Sequence, residues 1–118
     1  MSIVVYGIKN CNTVKSALQW LHENKVVFQF HDFKAKGIDV SKLKQWVDQA
    51  GWENLINKRG TTWRQLGPGL QEKIITETAA IALMKEKTSV IKRPLIESNK
   101  KIIALGFDPE VYKRLFNE

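Results

Sequence analysis

The chain is poor in cysteine, with Cys11 alone among its 118 residues. One thiol cannot close an internal disulfide, and it cannot supply the cysteine ligands of a zinc ribbon or an iron–sulfur cluster. An intramolecular Cys-x-x-Cys couple is also excluded, since Val14 stands three residues after Cys11. A chain of this length can bury enough apolar surface to fold without such a staple. Any disulfide that Cys11 forms must therefore join it to another molecule.

Long apolar runs are also absent. No stretch approaches the roughly 20 consecutive apolar residues that a membrane span requires. Residues 1–7 lack the basic leader and apolar segment of a signal peptide, and the sequence has no Pro/Ser-rich linker. We therefore expect one soluble domain over residues 1–118, located in the cytoplasm, monomeric, and without a membrane partner.

Acidic residues are few: 12 Asp and Glu oppose 19 Lys and Arg, which gives a net charge of +7. Such a surface attracts anions, among them nucleic acid, oxyanions and small carboxylate-bearing molecules. The charges are scattered, however, and no basic stretch alternates with aromatic residues as an RNA-binding strand would. This pattern is typical of a solvated basic surface, and we do not expect nucleic acid as a partner.

Apolar patterns predict a strand, a helix and a second strand at the start of the chain. Residues 3–6 are short, apolar and rich in β-branched side chains, as a buried strand is. Apolar residues at spacings of three and four predict a helix over 13–24, capped by Asn12 or Thr13. Residues 26–31 are rich in Val and Phe and predict the second strand. A βαβ unit of this kind has parallel strands and a right-handed crossover.

A helical insert at about 35–90 is predicted next. Its first helix opens at a cap, Asp39 or Ser41, and ends at Gly51. Residues 52–66 are expected to form a loop with short helical turns.

The last part of the chain completes an α/β pattern. A helical stretch opens at Pro68 and is broken near Thr78. Strands at 95–96 and 102–105 flank a polar turn and predict an antiparallel hairpin. Asp108–Pro109 then starts a final helix, with aspartate as the cap and proline as the first helical residue. The predicted order is β-α-β, a helical insert, then β-β-α.

Cys11 falls between the first strand and the first helix. Unpaired backbone N–H groups and the positive end of the helix dipole gather there, and they stabilise a thiolate. Lys9 adds a positive charge, while the polar neighbours Asn10 and Asn12 argue against burial. We predict a partly exposed, reactive Cys11 with a pKa below that of free cysteine; the alternative is an inert buried cysteine, the commonest fate of a lone one.

A second feature is Arg93–Pro94, immediately before the predicted hairpin. In a β-α-β then β-β-α layout, this turn faces the start of the first helix. Proline is tolerated at the start of a strand, and the preceding peptide bond can be trans or cis. From the sequence alone, an ordinary trans proline is favoured.

Four motifs occur in order along the chain: Tyr-Gly-Ile-Lys-Asn-Cys at 6–11, Arg-Gly-Thr-Thr-Trp-Arg at 59–64, Ile-Lys-Arg-Pro-Leu at 91–95 and Leu-Gly-Phe at 105–107. They resemble the ArsC/Spx family of the thioredoxin superfamily, most closely its YffB branch, over essentially the whole chain. The resemblance implies a thioredoxin-like fold with a mixed four-stranded sheet. It also implies that Cys11 is the nucleophile and that a cis Arg93–Pro94 bond faces it.

The chain departs from the arsenate reductases of that family. They use three arginines around the oxyanion, and Arg93 matches one of them. Asn57 stands at another position, with Arg59 displaced by two residues, and the third position falls within 102–107, which contains no arginine. An oxyanion needs several charge-assisted donors to bind well. The departures therefore favour thiol chemistry over arsenate reduction.

These observations predict a glutathione-dependent thiol reductase whose substrate is unknown. The Cys11 thiolate attacks, and glutathione resolves the mixed disulfide as a co-substrate; no bound cofactor or metal is expected, and glutaredoxin is a further candidate partner. Residues expected to bind glutathione or substrate are Lys9, Asn10, Asn12, Arg59, Arg93 and Pro94. Two alternatives stay open: a glutaredoxin-coupled arsenate reductase, and a Spx-like non-catalytic regulator that binds RNA polymerase.

Overall fold

The computed structural model describes residues 2–117, which form four strands and seven helices. In chain order these are β1 (Ile3–Gly7), α1 (Asn12–Glu23), β2 (Gln29–Asp32), α2 (Phe33–Lys36), α3 (Val40–Ala50), α4 (Trp52–Leu55), α5 (Thr61–Gln71), α6 (Glu77–Glu86), β3 (Leu95–Ser98), β4 (Lys101–Leu105) and α7 (Pro109–Asn117). A short 3-10 turn, Thr88–Val90, precedes β3. Two compact units result: residues up to 36 together with those from 93 onward, and residues 37–92.

The first unit is built on a mixed four-stranded sheet of order β2-β1-β3-β4. β1 runs parallel to β2, with Tyr6 opposite His31, and antiparallel to β3, with Tyr6 opposite Leu95. The parallel β-α-β start and the antiparallel β-β-α end are both confirmed. This is the thioredoxin-like arrangement that the resemblance implies.

Alternation along β1 decides which side chains form the core of this unit. Ile3 and Val5 project to one face of the sheet and are buried there against α1 and α7. The fully buried side chains from the two helices include Leu21 and Tyr112. One sheet face is thereby sealed by helices that arrive from opposite ends of the chain.

The hairpin and the last helix agree with their sequence signals. Asn99 and Lys100 link β3 to β4 with φ values of 51° and 70°, the left-handed geometry of a two-residue hairpin turn. At α7, the Asp108 carboxylate accepts a hydrogen bond from the Glu110 N–H at 3.0 Å. The predicted aspartate cap is therefore confirmed.

The second predicted strand is shorter than expected. β2 begins at Gln29, because Lys25 takes a left-handed φ of 60° after α1 and the chain turns back there. The Val26 N–H bonds to the Leu21 carbonyl at 2.9 Å, which ties this segment to the helix and not to the sheet. Val27 is 88% exposed. The apolar residues before β2 thus belong to a helix-to-strand turn.

The second unit, residues 37–92, is helical as predicted, and α3 begins after Asp39 and ends at Gly51 as expected. Its core includes the buried side chains of Trp46 and Leu55. Residues 52–66, predicted as a loop with short helical turns, contain the short helix α4 and the first half of α5, so they are more helical than expected. The burial of Leu55 and Trp63 stabilises these short helices. This is a tertiary effect, which the intrinsic helix propensity of the residues does not reveal.

The predicted break near Thr78 is present, but it lies slightly earlier in the chain, between α5 and α6. Gly67, with φ 78° and ψ 165°, interrupts α5, and Pro68 starts its second part as predicted. That part ends at Gln71, and α6 begins after Thr76, whose hydroxyl accepts the Ala79 N–H at 3.2 Å. Such a cap hydrogen bond stabilises the first turn of a helix and determines where α6 begins. The spacing of apolar residues does not indicate this position. Over residues 2–117, no helix is long and apolar enough to cross a membrane.

Candidate active site

Cys11 occupies the N-cap position of α1. Its φ of −147° and ψ of 120° are extended, and its carbonyl accepts the first helical hydrogen bond, from the Lys15 N–H at 2.9 Å. The predicted cap at Asn12 or Thr13 is therefore wrong, since both residues already lie in the first turn. The local reason is that the chain leaves its extended conformation only after Cys11. The sulfur is consequently placed at the open end of the helix.

A close packing contact brings this helix end to the sheet. A Cβ atom on Gly7, the last residue of β1, would lie 3.0 Å from a methyl carbon of Val14. Real Cβ atoms essentially never approach a neighbour more closely, so the neighbour would have to shift. Glycine at this position lets the first turn of α1 pack directly on the end of β1.

The thiol of Cys11 is acidic. Burial raises its pKa, but three groups lower it, and the lowering prevails. They are the Val14 N–H, the Arg93 side chain through its hydrogen bond and its charge, and the Thr13 N–H. The sulfur makes no cap hydrogen bond of ordinary geometry, so the two N–H groups act on it as nearby dipoles. Cys11 is also partly exposed. The predicted exposure and lowered pKa are both confirmed.

Arg93 and Pro94 form the other side of the site. The Arg93–Pro94 peptide bond is cis, as the resemblance implies and against the simpler expectation from sequence. Pro94 is buried, its carbonyl accepts the Gly106 N–H at 2.8 Å, and proline has no N–H of its own. The backbone of Pro94 is thus tied to the end of β4, while the Arg93 side chain reaches Cys11.

The other predicted site residues are placed on the surface. Lys9, Asn10 and Asn12 are exposed beside Cys11 in sequence, and Lys9 is not among the groups that lower the pKa of the thiol. The positive charge that acts on Cys11 is that of Arg93. Arg59 is exposed within the unit 37–92, and its N–H bonds to the Asn57 side chain at 3.1 Å. A binding role for these four residues stays a prediction.

A buried polar pair escaped the sequence reasoning. The Tyr6 hydroxyl donates to the Glu97 carboxylate at 2.9 Å, and Glu97 is only 2% exposed. Burial, followed by the hydrogen bond and charge of Glu97, raises the pKa of Tyr6 above its ordinary value. The Tyr6 ring lies 4.9 Å from that of His31. Glu97 follows the apolar pair Leu95–Ile96 and precedes polar Ser98, so the sequence gives no signal of its burial, and its partner Tyr6 stands 91 residues away.

In the part of the chain that the structure describes, no group of three or more His, Cys, Asp or Glu side chains is arranged to hold a metal ion. The chemistry that the described residues support is that of one acidic thiol with a cationic neighbour. Such a thiolate is a nucleophile toward disulfides and other electrophiles.

Comparison with known proteins agrees with the fold described above. The model of the ArsC family matches residues 6–115. The solved structure of a YffB protein superimposes with a TM-score of 0.89 at 41% identity, covering 98% of this chain and 99% of that one. An arsenate reductase (ArsC) related protein from Brucella melitensis gives 0.79 at 36% identity, covering 100% and 97%. The global transcriptional regulator Spx of Streptococcus mutans is 26% identical, over 92% of this chain and 78% of its own.

Proposed function

The chain belongs to the ArsC family, and we propose that it acts as a glutathione-dependent thiol reductase whose nucleophile is Cys11. The observation that carries the proposal is the lowered pKa of this thiol at the start of α1, beside Arg93. A thiolate is the reactive form of cysteine, so this site holds a larger reactive fraction at neutral pH than a free cysteine does. Since the chain has one cysteine, the reaction needs a second thiol from outside.

The proposed cycle has two exchange steps. In the first, the Cys11 thiolate attacks one sulfur of a substrate disulfide. A Cys11–substrate disulfide forms, the original S–S bond breaks, and the departing thiolate takes a proton from water. In the second, a glutathione thiolate attacks the substrate sulfur of the mixed disulfide, so that a substrate–glutathione disulfide forms and Cys11 leaves as the thiolate. When the substrate itself carries glutathione, the first step moves the glutathionyl group to Cys11 and releases the substrate thiol. A second glutathione thiolate then attacks this group, which forms oxidised glutathione and releases the Cys11 thiolate.

The charge of the site supports glutathione as the thiol donor. Glutathione is a small anionic peptide, and this chain carries a net charge of +7. Arg93 lowers the pKa of the Cys11 thiol, and we propose that it also binds a carboxylate of glutathione. Around it, we propose that Lys9, Asn10 and Asn12 line the exposed approach and that buried Pro94 forms the floor. Arg59 is a weaker candidate for the same ligand, and a glutaredoxin is a candidate partner for the second step.

Mass spectrometry after incubation with oxidised glutathione tests the proposal. We expect the wild-type protein to gain one glutathionyl group, and Cys11→Ser to gain none. Arg93→Met should form the adduct more slowly at neutral pH, because less of its thiol is ionised. Arg114→Met is the matched control, since Arg114 is an exposed arginine on α7, and it should react at the wild-type rate. An unmodified wild-type protein, or an adduct that forms no faster than on free cysteine, would contradict the proposal.

Arsenate reduction is a second candidate function, favoured by the 36% identity to a protein described as arsenate reductase (ArsC) related. Arg93 beside Cys11 would supply one donor for the oxyanion. The family's two other arginines have no counterpart in this chain, which has Asn57 at one of those positions and no arginine within 102–107 at the other. A steady-state assay with arsenate, glutathione and glutaredoxin distinguishes the two functions. Turnover at ordinary enzymatic rates that Cys11→Ser abolishes would favour arsenate as the substrate.

A regulatory role is the third candidate, favoured by the similarity to the global transcriptional regulator Spx over 92% of this chain. Val14 stands where a Cys-x-x-Cys couple would have its second cysteine, and it is fully buried. An intramolecular disulfide switch is therefore absent. Retention of RNA polymerase by the immobilised protein, unchanged in Cys11→Ser, would support this role over a catalytic one.

A further inference from the structure

Two hydrogen bonds connect α7 to the segment that carries Arg93. The Tyr112 hydroxyl donates to the Gly106 carbonyl at 2.7 Å, and the Gly106 N–H donates to the Pro94 carbonyl at 2.8 Å. Gly106 follows β4 and Pro94 precedes β3, so the second bond lies just beyond the last pair of the hairpin, Leu95 with Leu105. The path ends at Pro94, and the side chain of the preceding residue, Arg93, reaches Cys11.

Tyr112 is itself held firmly. It is 1% exposed, and its ring makes edge contacts with Trp20 at 5.6 Å and Phe107 at 5.0 Å between ring centroids. Burial raises the pKa of Tyr112 well above its ordinary value. The hydroxyl therefore stays protonated at neutral pH and acts toward Gly106 as a donor. Its hydrogen bond is made to the Gly106 carbonyl, whereas the Gly106 N–H is bonded to Pro94.

Gly106 is the adjustable link in this path. Its φ of 87° lies in the left-handed region that favours glycine, and a Cβ atom there would meet nothing within 4 Å. The space beside its Cα atom is therefore open. The two hydrogen bonds connect Gly106 both to α7 and to the Arg93–Pro94 segment.

We propose that Tyr112 is a positioning residue for the active site, holding the Arg93–Pro94 segment against Cys11 through Gly106. The inference rests on the proposed role of Cys11 as the nucleophile. Loss of the Tyr112 hydroxyl leaves the Gly106 carbonyl without this donor and loosens the contact with Pro94. Arg93 then spends less time at the sulfur, although its charge remains in the molecule. The expected result is a less acidic thiol in a protein that still folds.

A pH titration of the thiolate tests this directly. The Cys11 thiolate absorbs in the ultraviolet, and Cys11→Ser provides the blank. At pH values below the pKa of Cys11, we expect Tyr112→Phe to lower the thiolate fraction by about two- to threefold. This effect is smaller than the effect of removing Arg93 itself. Tyr6→Phe is the matched control, since it removes another buried hydroxyl from the same unit but leaves the Gly106 path intact. It should destabilise the fold and leave the titration midpoint in place.

A double-mutant cycle separates positioning from general loosening. In an Arg93→Met background, Tyr112→Phe should shift the midpoint no further, because the group that it positions is gone. Equal shifts in both backgrounds, or equal shifts from Tyr6→Phe and Tyr112→Phe, would overturn the proposal. If Tyr112→Phe fails to fold, Gly106→Ala disturbs the same path by backbone strain, and an unshifted midpoint there would equally overturn it. The titration uses no glutathione, so its outcome is independent of whether the glutathione adduct forms.

Discussion

Replacing Arg93 with methionine is expected to raise the pKa of Cys11. In the native protein burial raises this pKa, while the Val14 N–H, Arg93 and the Thr13 N–H lower it by a larger amount. Methionine keeps an unbranched apolar stem in place of the arginine stem and removes both the N–H donors and the charge. The two backbone N–H groups remain, so the thiol keeps part of its acidity.

The size of this pKa increase depends on how exposed the Cys11 sulfur is. A hydrogen bond to a charged group contributes about 1.5–3 kcal/mol to stability. Cys11 is only partly buried, so water screens the pair, and about 1 kcal/mol is a better figure. This corresponds to a roughly fivefold lower thiolate fraction at any pH well below the pKa. The pH midpoint of the titration moves upward accordingly.

The assay is the ultraviolet titration of the thiolate with Cys11→Ser as the blank. The chain has one cysteine and two tyrosines. Burial raises the pKa of both Tyr6 and Tyr112, so tyrosinate absorbance appears above the range in which the thiol titrates. Arg114→Met, with the same loss of charge, should leave the midpoint unchanged. An unmoved midpoint in Arg93→Met, or the same displacement in both variants, would refute the assignment of Arg93 as the local cation.

Three further outcomes are expected. Because the folded pKa of Cys11 is depressed, the unfolded chain binds more protons between that pKa and the unperturbed 9.0. The free energy of unfolding of wild type relative to Cys11→Ser should therefore rise with pH across this window, and a difference independent of pH would contradict it. Tyr6→Phe leaves the Glu97 carboxylate buried without this donor and should cost about 1–3 kcal/mol in urea unfolding, whereas a change below about 0.5 kcal/mol would show that Glu97 finds another partner. Gly7→Ala places a methyl group against Val14 and should lower the free energy of unfolding by about 1–3 kcal/mol. If Gly7→Ala unfolds at the same temperature as the wild-type protein, α1 can move away from β1 without cost.

The local elements of the first unit could be predicted from the sequence because their signals are local. Alternating or β-branched residues mark β1, helical spacing marks α1, and Asp108–Pro109 marks the start of α7. The same reasoning placed Cys11 at the open end of a helix, where N–H groups lower the pKa of a thiol. The motifs of the chain also sufficed to indicate its family.

Prediction was least accurate where tertiary packing decides the local structure. Residues 52–66 are predicted as a loop with short helical turns, and they form α4 and the first half of α5 around the buried side chains of Leu55 and Trp63. Val27 belongs to an apolar run that resembles a strand, yet it lies in a turn and is 88% exposed. Short segments of this kind have little intrinsic stability, and their conformation follows from what they pack against.

The tertiary fold decided which groups the polar side chains of the first unit contact. β3 pairs with β1, and this pairing sets Arg93 beside Cys11 and the Tyr6 hydroxyl on Glu97, contacts that no local pattern contains. Tyr112 resembles any other apolar residue of a helix in the sequence, but α7 carries its hydroxyl to Gly106. Sequence periodicity reports which residues are buried, whereas hydrogen-bond partners depend on positions in three dimensions. The nucleophile, the helix-end N–H groups beside it and an Arg93–Pro94 turn facing it could therefore be predicted from the sequence. The hydrogen bond from Tyr112 to Gly106 could be found only from the tertiary structure.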